Sequence, residues 1–214
     1  MHAALLDLFD TLVWGNWPAL RARLAARIGV EAPTLSEAYR STYALRQTGG
    51  YGSAEGDMAA IVEACGLEPD PELVRELAAI TSAHLDGSVR PYEDSLPVLR
   101  ALRERGVRTA IVSNCDHFAR PLVDDLRFER EVDAILLSVE VGTEKPKPGI
   151  YRAALEALGV EPADAVFVDD QPDYLDGAGA VGIPTLQIVR ENEPFEGYGE
   201  LGRHRVIRDL TALL

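Results

Sequence analysis

Polar side chains that could act together stand directly after three short apolar runs of the chain. Asp7 follows the first run, Ser113 follows the second, and the pair Asp169-Asp170 follows the third. Runs of this kind are typical of strands buried on both faces of a parallel sheet. Because the carboxyl ends of parallel strands lie along one edge of a sheet, we expect these side chains to meet there.

Lys145 adds a cation to this expected cluster. It lies in the loop of residues 142–148, which opens a predicted helix. Aspartate oxygens are ligands that Mg²⁺ prefers and often shares with a phosphate, while a lysine and a hydroxyl suit the phosphate oxygens. An aspartate whose charge is partly neutralised by a metal can attack phosphorus as a nucleophile. The residue types therefore suit Mg²⁺-assisted phosphoryl transfer, in which Asp7 could attack phosphorus.

The elements predicted around these residues alternate between strand and helix. Strand patterns cover residues 3–6, 109–112, 134–137, 165–168, 185–189 and 205–207. Helical patterns cover residues 96–105, 118–126, 148–158 and 174–181, and a last helix begins at Asp209. This alternation implies a parallel sheet with right-handed crossovers. The predicted fold class is therefore α/β, with a Rossmann-like parallel sheet as its core.

A long helical stretch interrupts the alternation after the first strand. Residues 15–88 show only helical periodicity, including one continuous helix over residues 34–46. Ser53 and Asp70 are expected N-caps, and Asp70 is followed by Pro at the first helical position. We therefore expect an all-helical block inserted into the α/β pattern.

This insertion divides the chain into two predicted parts. The core consists of residues 1–14 and 89–214, and an all-helical cap consists of residues 15–88. The flanking residues 13–16 and 88–92 are the expected hinges. A chain of 214 residues is long enough for such a core with an inserted part.

Composition excludes several classes of partner. The formal net charge is −14, with 35 acidic against 21 basic residues, which argues against nucleic acid or an anionic membrane as a partner. No apolar run approaches the roughly 20 residues that span a bilayer. The two cysteines imply no disulfide framework, and no signal peptide is recognisable. We expect a cytoplasmic monomer or homodimer with a small-molecule substrate.

Four motifs resemble, in order, those of the haloacid dehalogenase (HAD) superfamily. They are Asp7-Leu8-Phe9-Asp10-Thr11-Leu12, Ile111-Val112-Ser113-Asn114, the loop of residues 140–148 around Lys145, and Val166-Phe167-Val168-Asp169-Asp170. The resemblance covers essentially the whole chain. It implies a phosphatase-like hydrolase with a helical cap of the C1 type inserted after the first strand.

The resemblance also implies roles for the residues that bind phosphate. Asp7 would be the nucleophile, and Ser113 and Lys145 would hold the transferred phosphoryl group, with Lys145 offsetting the charge on Asp7. Asn114 and Thr11 are further candidates for phosphate contacts. Each of these two could instead hydrogen-bond within its own loop.

A second set of residues is implied as the metal site. Mg²⁺ would be held by Asp7, by the backbone carbonyl of Phe9 and by Asp170, with Asp169 beside it. The carbonyl contact needs no particular side chain.

Phe9 departs from the phosphatase pattern, which usually has a second aspartate at this position to protonate the leaving alcohol. Asp10 could take over this acid–base role, or the substrate could have a leaving group that needs no acid. The chain could also be a 2-haloacid dehalogenase, since those enzymes carry an aromatic residue here, or a binding protein without turnover. The pair Asp169-Asp170 resembles the metal-dependent members, and two carboxylates beside Asp7 would repel one another without a cation. We therefore predict a Mg²⁺-dependent phosphatase of a small phosphorylated metabolite.

A few other residues carry weaker expectations. Arg46 and Tyr51, near the glycine-rich turn of the cap, are the best candidates for substrate contacts. Trp14 and Trp17 are expected to pack the cap onto the core. His117 is expected to be a solvated loop residue.

Overall fold

The computed structural model describes residues 2–190 and 203–214. Within these ranges the strands are β1 (Ala3–Leu6), β2 (Val13–Trp14), β3 (Arg90–Pro91), β4 (Arg108–Ser113), β5 (Ala134–Leu137), β6 (Ala165–Asp169), β7 (Thr185–Ile188) and β8 (Arg205–Ile207). The α-helices are α1 (Trp17–Ile28), α2 (Ala32–Ser41), α3 (Tyr43–Gln47), α4 (Ala54–Ala64), α5 (Pro71–Ser88), α6 (Ser95–Glu104), α7 (Ala119–Asp125), α8 (Ser138–Val141), α9 (Pro148–Leu158) and α10 (Pro172–Val181). Short 3₁₀ turns lie at Phe128–Arg130, Pro162–Asp164 and Leu210–Leu213.

Six of these strands form one parallel sheet, in the order β5-β4-β1-β6-β7-β8. The central strand β1 is fully buried, as expected for a strand covered on both faces. Its register places Leu6 opposite Ile111 of β4 and Val168 of β6, so Asp7 and Asp169 follow at the same level, while β4 continues for two more residues to Ser113. The predicted α/β fold with a Rossmann-like parallel sheet is confirmed.

Alternate side chains of β1 enter two different hydrophobic clusters. Leu5 packs with Phe167 and with Tyr151 of α9 on one face of the sheet. Leu6 packs on the other face in a cluster that includes Leu99 of α6. This two-sided packing fixes β1, and with it Asp7, in the middle of the molecule.

The helices α1 to α5 lie within residues 15–88, which we call the helical insert. Ser53 accepts a hydrogen bond from Gly56 N–H, and Asp70 accepts from the N–H groups of Glu72 and Leu73, so both predicted N-caps are confirmed. Buried residues of the insert join the same cluster as Leu6, for example Leu24 and Leu77. The insert therefore packs directly on one face of the core.

The two flanks of the helical insert pair with each other. Val13 and Trp14 of β2 lie antiparallel to Pro91 and Arg90 of β3. The sequence indicated these flanks as hinges but not their pairing, because two residues are too few for a strand pattern. The division of the chain at residues 15–88 remains a prediction.

Two predicted helices differ from those observed. The helix expected over residues 34–46 is divided into α2 and α3 at Thr42, whose hydroxyl donates to the Ala38 carbonyl at 2.7 Å. Such back-bonding of a threonine to the preceding turn bends helices. The last helix, expected from Asp209, is only the 3₁₀ turn Leu210–Leu213, which Asp209 caps. No helix in the described ranges is long and apolar enough to cross a membrane.

Candidate active site

A buried ammonium group lies between two aspartates at the carboxyl edge of the sheet. Lys145 Nζ is 2.6 Å from Oδ1 of Asp7 and 2.6 Å from Oδ2 of Asp169. Burial by itself would lower the pKa of Lys145, but the carboxylates of Asp169 and Asp7 outweigh it and raise the pKa. Lys145 is therefore held as a cation in contact with the predicted nucleophile.

Three carboxylates crowd around this single cation. Asp7, Asp169 and Asp170 each offer an oxygen within 4.8 Å of the others, and all three are buried. Burial raises the pKa of Asp7 to about 7, against the lowering by Lys145, and the Asp169 charge adds to the increase. Burial likewise raises the pKa of Asp170 to about 7, with the Asp7 charge adding to it. The cluster has an excess of negative charge that a bound cation would offset.

The donor set of this cluster fits Mg²⁺. Asp7 and Asp170 line the adjoining cavity, whereas both oxygens of Asp169 are already bonded, one to Lys145 and one to Gln171 N–H at 2.8 Å. Carboxylate oxygens of this kind are hard ligands of the type that Mg²⁺ prefers. Asp7 and Asp170 are therefore the residues that would hold the metal, and Asp169 would orient Lys145.

The turn after β1, residues 7–13, brings Phe9 and Asp10 to the same cavity. Asp10 has a positive φ of 60°, which Asp tolerates better than most residues. Its N–H donates to the Val13 carbonyl at 2.7 Å, and the Leu8 carbonyl accepts from the N–H groups of Leu12 and Val13. The hydrogen bonds that close the turn thus use the carbonyls of Leu8 and Val13 as acceptors. The role of the Phe9 carbonyl as a Mg²⁺ ligand remains a prediction.

Trp17, at the start of α1, contacts both residues of this turn. Its ring packs edge-on against Phe9 with centroids 5.3 Å apart, and its Nε1 donates to Asp10 Oδ1 at 3.4 Å. Burial raises the pKa of Asp10 to about 7, while the Trp17 hydrogen bond acts against this increase. Trp17 thus packs the insert onto the turn, as expected, whereas Trp14 is 41% exposed.

The Asn114 side chain forms hydrogen bonds with both the N–H and the carbonyl group of Lys145. Its Oδ1 accepts from Lys145 N–H at 2.7 Å, and its Nδ2 donates to the Lys145 carbonyl at 2.9 Å. Nδ2 is also 3.2 Å from the Tyr43 hydroxyl. The side chain lines the cavity, but these contacts favour the alternative that it fixes the lysine loop.

Ser113 and Thr11 are fully buried, and neither is among the residues that line the cavity. Ser113 Oγ is 3.5 Å from the Asn114 carbonyl, and Thr11 Oγ1 has no hydrogen-bond partner in the described part of the chain. The structure thus brings Asp7, Phe9, Asp10, Asn114, Lys145 and Asp170 together at one cavity, and the phosphate contacts of Ser113 and Thr11 remain predictions.

The cavity lies between the core and the helical insert and has a volume of about 690 Å³. This volume suits a small molecule. The insert contributes aromatic and basic side chains to it, among them Trp17, Tyr39, Tyr43 and Arg46. Tyr51, which the sequence indicated as a substrate contact, is not among the lining residues.

Arg46 is engaged with the core. Its Nη1 is 2.9 Å from Asp116 Oδ2, its Nη2 donates to the Tyr39 carbonyl, and its guanidinium stacks on the Tyr39 ring. Arg46 is only 3% exposed. It lines the cavity, but its contacts are those of a residue that ties the insert to the core, and its role toward substrate remains a prediction.

Further contacts across the same boundary were not anticipated. His117 Nδ1 is 2.7 Å from Asp57 Oδ2 on α4, so the expectation of a solvated His117 is wrong. Tyr43 and Tyr174 share a hydrogen bond of 2.9 Å, and the Tyr174 ring lies 4.9 Å from Lys145 Nζ. Helical periodicity indicates which faces are buried but not which residues meet across an interface. For Tyr174, the sequence offered one indication that it lies near the site, namely its position four residues after Asp170.

The described part of the chain combines a six-stranded parallel sheet with a cluster of three buried aspartates and one lysine at the carboxyl edge of that sheet. The family described as haloacid dehalogenase-like hydrolase matches residues 1–182, and the chain belongs to this family. The family predicted from the four sequence motifs is thereby confirmed.

The relatives of this chain include both phosphatases and haloacid dehalogenases. A glyceraldehyde 3-phosphate phosphatase of Methanopyrus kandleri is 32% identical over 202 residues, which cover 89% of this chain and 84% of the relative. An (S)-2-haloacid dehalogenase of Burkholderia cepacia is 33% identical over 106 residues, covering 49% of this chain and 46% of the relative. The crystal structure of a dehalogenase matches with a TM-score of 0.67 at 25% identity, covering 100% of this chain and 95% of that one. The chain spans about half the length of several curated relatives that it matches, including a phosphatase of Mycobacterium tuberculosis.

Proposed function

We propose that this protein is a Mg²⁺-dependent phosphatase of a small phosphorylated metabolite. The observation that carries the proposal is the presence of Asp170 beside Asp7 and Asp169, all within 4.8 Å, with one ammonium group among them. A second carboxylate at the cavity wall is what a metal site needs. A similar phosphatase that covers most of this chain supports the same choice.

In the proposed reaction an oxygen of Asp7 forms a bond to phosphorus while the bond from phosphorus to the leaving oxygen breaks. Water then attacks the phosphorus of the aspartyl-phosphate, and the Asp7–phosphorus bond breaks to release phosphate. Lys145 holds the Asp7 carboxylate in place and compensates charge on the phosphoryl oxygens. Mg²⁺, when bound by Asp7 and Asp170, would supply further positive charge for the same oxygens.

Asp10 is the proposed proton donor to the leaving oxygen and the acceptor of a proton from the attacking water. It replaces the aspartate that is missing at Phe9. The support is its position at the same cavity as Asp7, on a turn held by the hydrogen bond to Val13 and by Trp17. Asn114 is the proposed positioning residue, since it fixes the backbone from which Lys145 projects.

A 2-haloacid dehalogenase is the second candidate function. Phe9 favours it, because a halide leaves without a proton and needs no acid at that position. The dehalogenase structure that covers the whole chain also favours it. In this reaction the Asp7 carboxylate would attack a substrate carbon, displace the halide and form an ester.

The dependence on metal separates the two functions. Phosphate release from p-nitrophenyl phosphate is expected with Mg²⁺ and is expected to fall to background with a chelator, because removing the cation leaves the carboxylate cluster to repel the phosphate. Chloride release from 2-chloropropionate is expected to stay at background in both conditions.

Chloride release that is insensitive to the chelator, without phosphate release, would replace the phosphatase proposal by the dehalogenase. Absence of both products, with phosphate binding detected by calorimetry, would indicate a binding protein instead.

A further inference from the structure

The charged side chains on the two walls of the cavity differ in sign. The core wall carries Lys145 and four aspartates, namely Asp7, Asp10, Asp116 and Asp170. The charged side chains that line the cavity from the helical insert are all arginines, Arg21, Arg40 and Arg46. In a chain with 35 acidic against 21 basic residues, this basic wall is not a consequence of composition.

Two of the three arginines are already paired. Arg46 forms its ion pair with Asp116, and Arg40 forms one with Glu37 on its own helix. Arg21 has no ion-pair or hydrogen-bond partner within residues 2–190 and 203–214. Arg21 is exposed at the cavity, and within those ranges its guanidinium is the one of the three that no ion pair engages.

The position of Arg21 on α1 places it away from the end of the cavity that contains Asp7. Arg21 lies four residues after Trp17, so the two share one face of the helix. Trp17 contacts Phe9 and Asp10 beside the nucleophile, and Arg21 is about 6 Å farther along the helix axis. Arg21 and Tyr39 of α2 line the same cavity.

We propose that Arg21 binds a second anionic group of the substrate, at the end of the molecule away from the phosphate that is removed. The substrate is then a small metabolite with two anionic ends, either a phosphorylated carboxylic acid or a bisphosphate. This inference rests on the proposed phosphatase function and names its substrate class. An arginine fork suits either anion, since carboxylate and phosphate both accept two parallel hydrogen bonds.

The test compares three compounds with one carbon skeleton, namely glycerol phosphate, phosphoglycerate and glycerol bisphosphate. In the wild type we expect kcat/KM for phosphoglycerate or for the bisphosphate to exceed that for glycerol phosphate by about 10- to 100-fold, the usual size of one charge-assisted interaction. Arg21→Gln should bring this ratio close to one, mainly through KM. Preference for phosphoglycerate would assign a carboxylate, and preference for the bisphosphate would assign a second phosphate.

Arg23→Gln is the matched control, because Arg23 is exposed on the same helix and does not line the cavity. It should keep the wild-type ratio. The inference is overturned if the wild type shows no preference, if the preference survives Arg21→Gln, or if Arg23→Gln removes it equally.

If the proposed phosphatase function itself is wrong, no phosphate will be released from p-nitrophenyl phosphate or from the three glycerol-based compounds. In that case calorimetric titration with phosphoglycerate and the bisphosphate decides about the anion site. A Kd that Arg21→Gln weakens by about 10-fold or more, and Arg23→Gln does not, supports the site. Equal Kd values for wild type and Arg21→Gln overturn it.

Discussion

Asp7→Asn is expected to lower kcat for p-nitrophenyl phosphate by roughly 10⁴- to 10⁶-fold, as the loss of a nucleophile does in other hydrolases. The amide nitrogen and oxygen of asparagine are poor nucleophiles, so the bond to phosphorus would not form at a useful rate. Steady-state phosphate release in the presence of Mg²⁺ measures the loss.

The fold should tolerate this substitution. Asparagine has the same shape, and its oxygen can still accept the hydrogen bond from Lys145. The change also removes one of three crowded carboxylates, so thermal unfolding should occur at the wild-type temperature or above it. Asp86→Asn, on an exposed position of α5, is the control and should keep wild-type activity. An Asp7→Asn protein within 10-fold of wild-type kcat would exclude Asp7 as the nucleophile.

Asp10→Asn should separate good leaving groups from poor ones. Loss of a general acid costs roughly 10²- to 10⁴-fold, and this loss is expected in kcat/KM for glycerol phosphate, whose alkoxide leaves only with a proton. The loss in kcat/KM for p-nitrophenyl phosphate should stay under about 10-fold, because kcat/KM reports the steps up to departure of the leaving group and an aryl oxide needs little assistance. The ratio of the two kcat/KM values, in wild type and variant, is the measurement.

Asparagine is a suitable replacement because it also tolerates the positive φ of this position, and its oxygen can accept from Trp17. A general disturbance of the turn would therefore be seen as equal losses on both substrates, and that result would contradict an acid–base role. A wild type that hydrolyses only the aryl phosphate would point instead to a substrate that needs no acid.

The parts of the site that the sequence predicted are those fixed by the ends of buried strands. The apolar runs before Asp7 and Asp169 predicted strands, and parallel pairing of β1 with β6 then placed these carboxylates side by side. Lys145 was expected in the same cluster from its position in the loop that opens a helix, and it bonds to both aspartates. Strand ends are predictable because a short apolar run and the polar residue that follows it are both visible in the sequence.

Contacts between the core and the helical insert could not be predicted in this way. The pairs Arg46–Asp116 and Asp57–His117 join residues far apart in the chain. Periodicity gives the buried face of a helix but not its partner. The backbone conformation of Asp10 also could not be predicted from the sequence, because a positive φ depends on the hydrogen bonds of its turn and not on residue type alone.

Trapping the aspartyl-phosphate is the most direct test of the central claim. Wild-type protein would be quenched in acid during turnover of p-nitrophenyl phosphate with Mg²⁺, digested, and the peptide that contains Asp7 measured by mass spectrometry. We predict that this peptide gains the mass of one phosphoryl group at Asp7, and that the gain is absent from Asp7→Asn and from samples treated with chelator. Phosphate release without a phosphoryl group on Asp7, or with the group on another residue, would contradict the proposed mechanism.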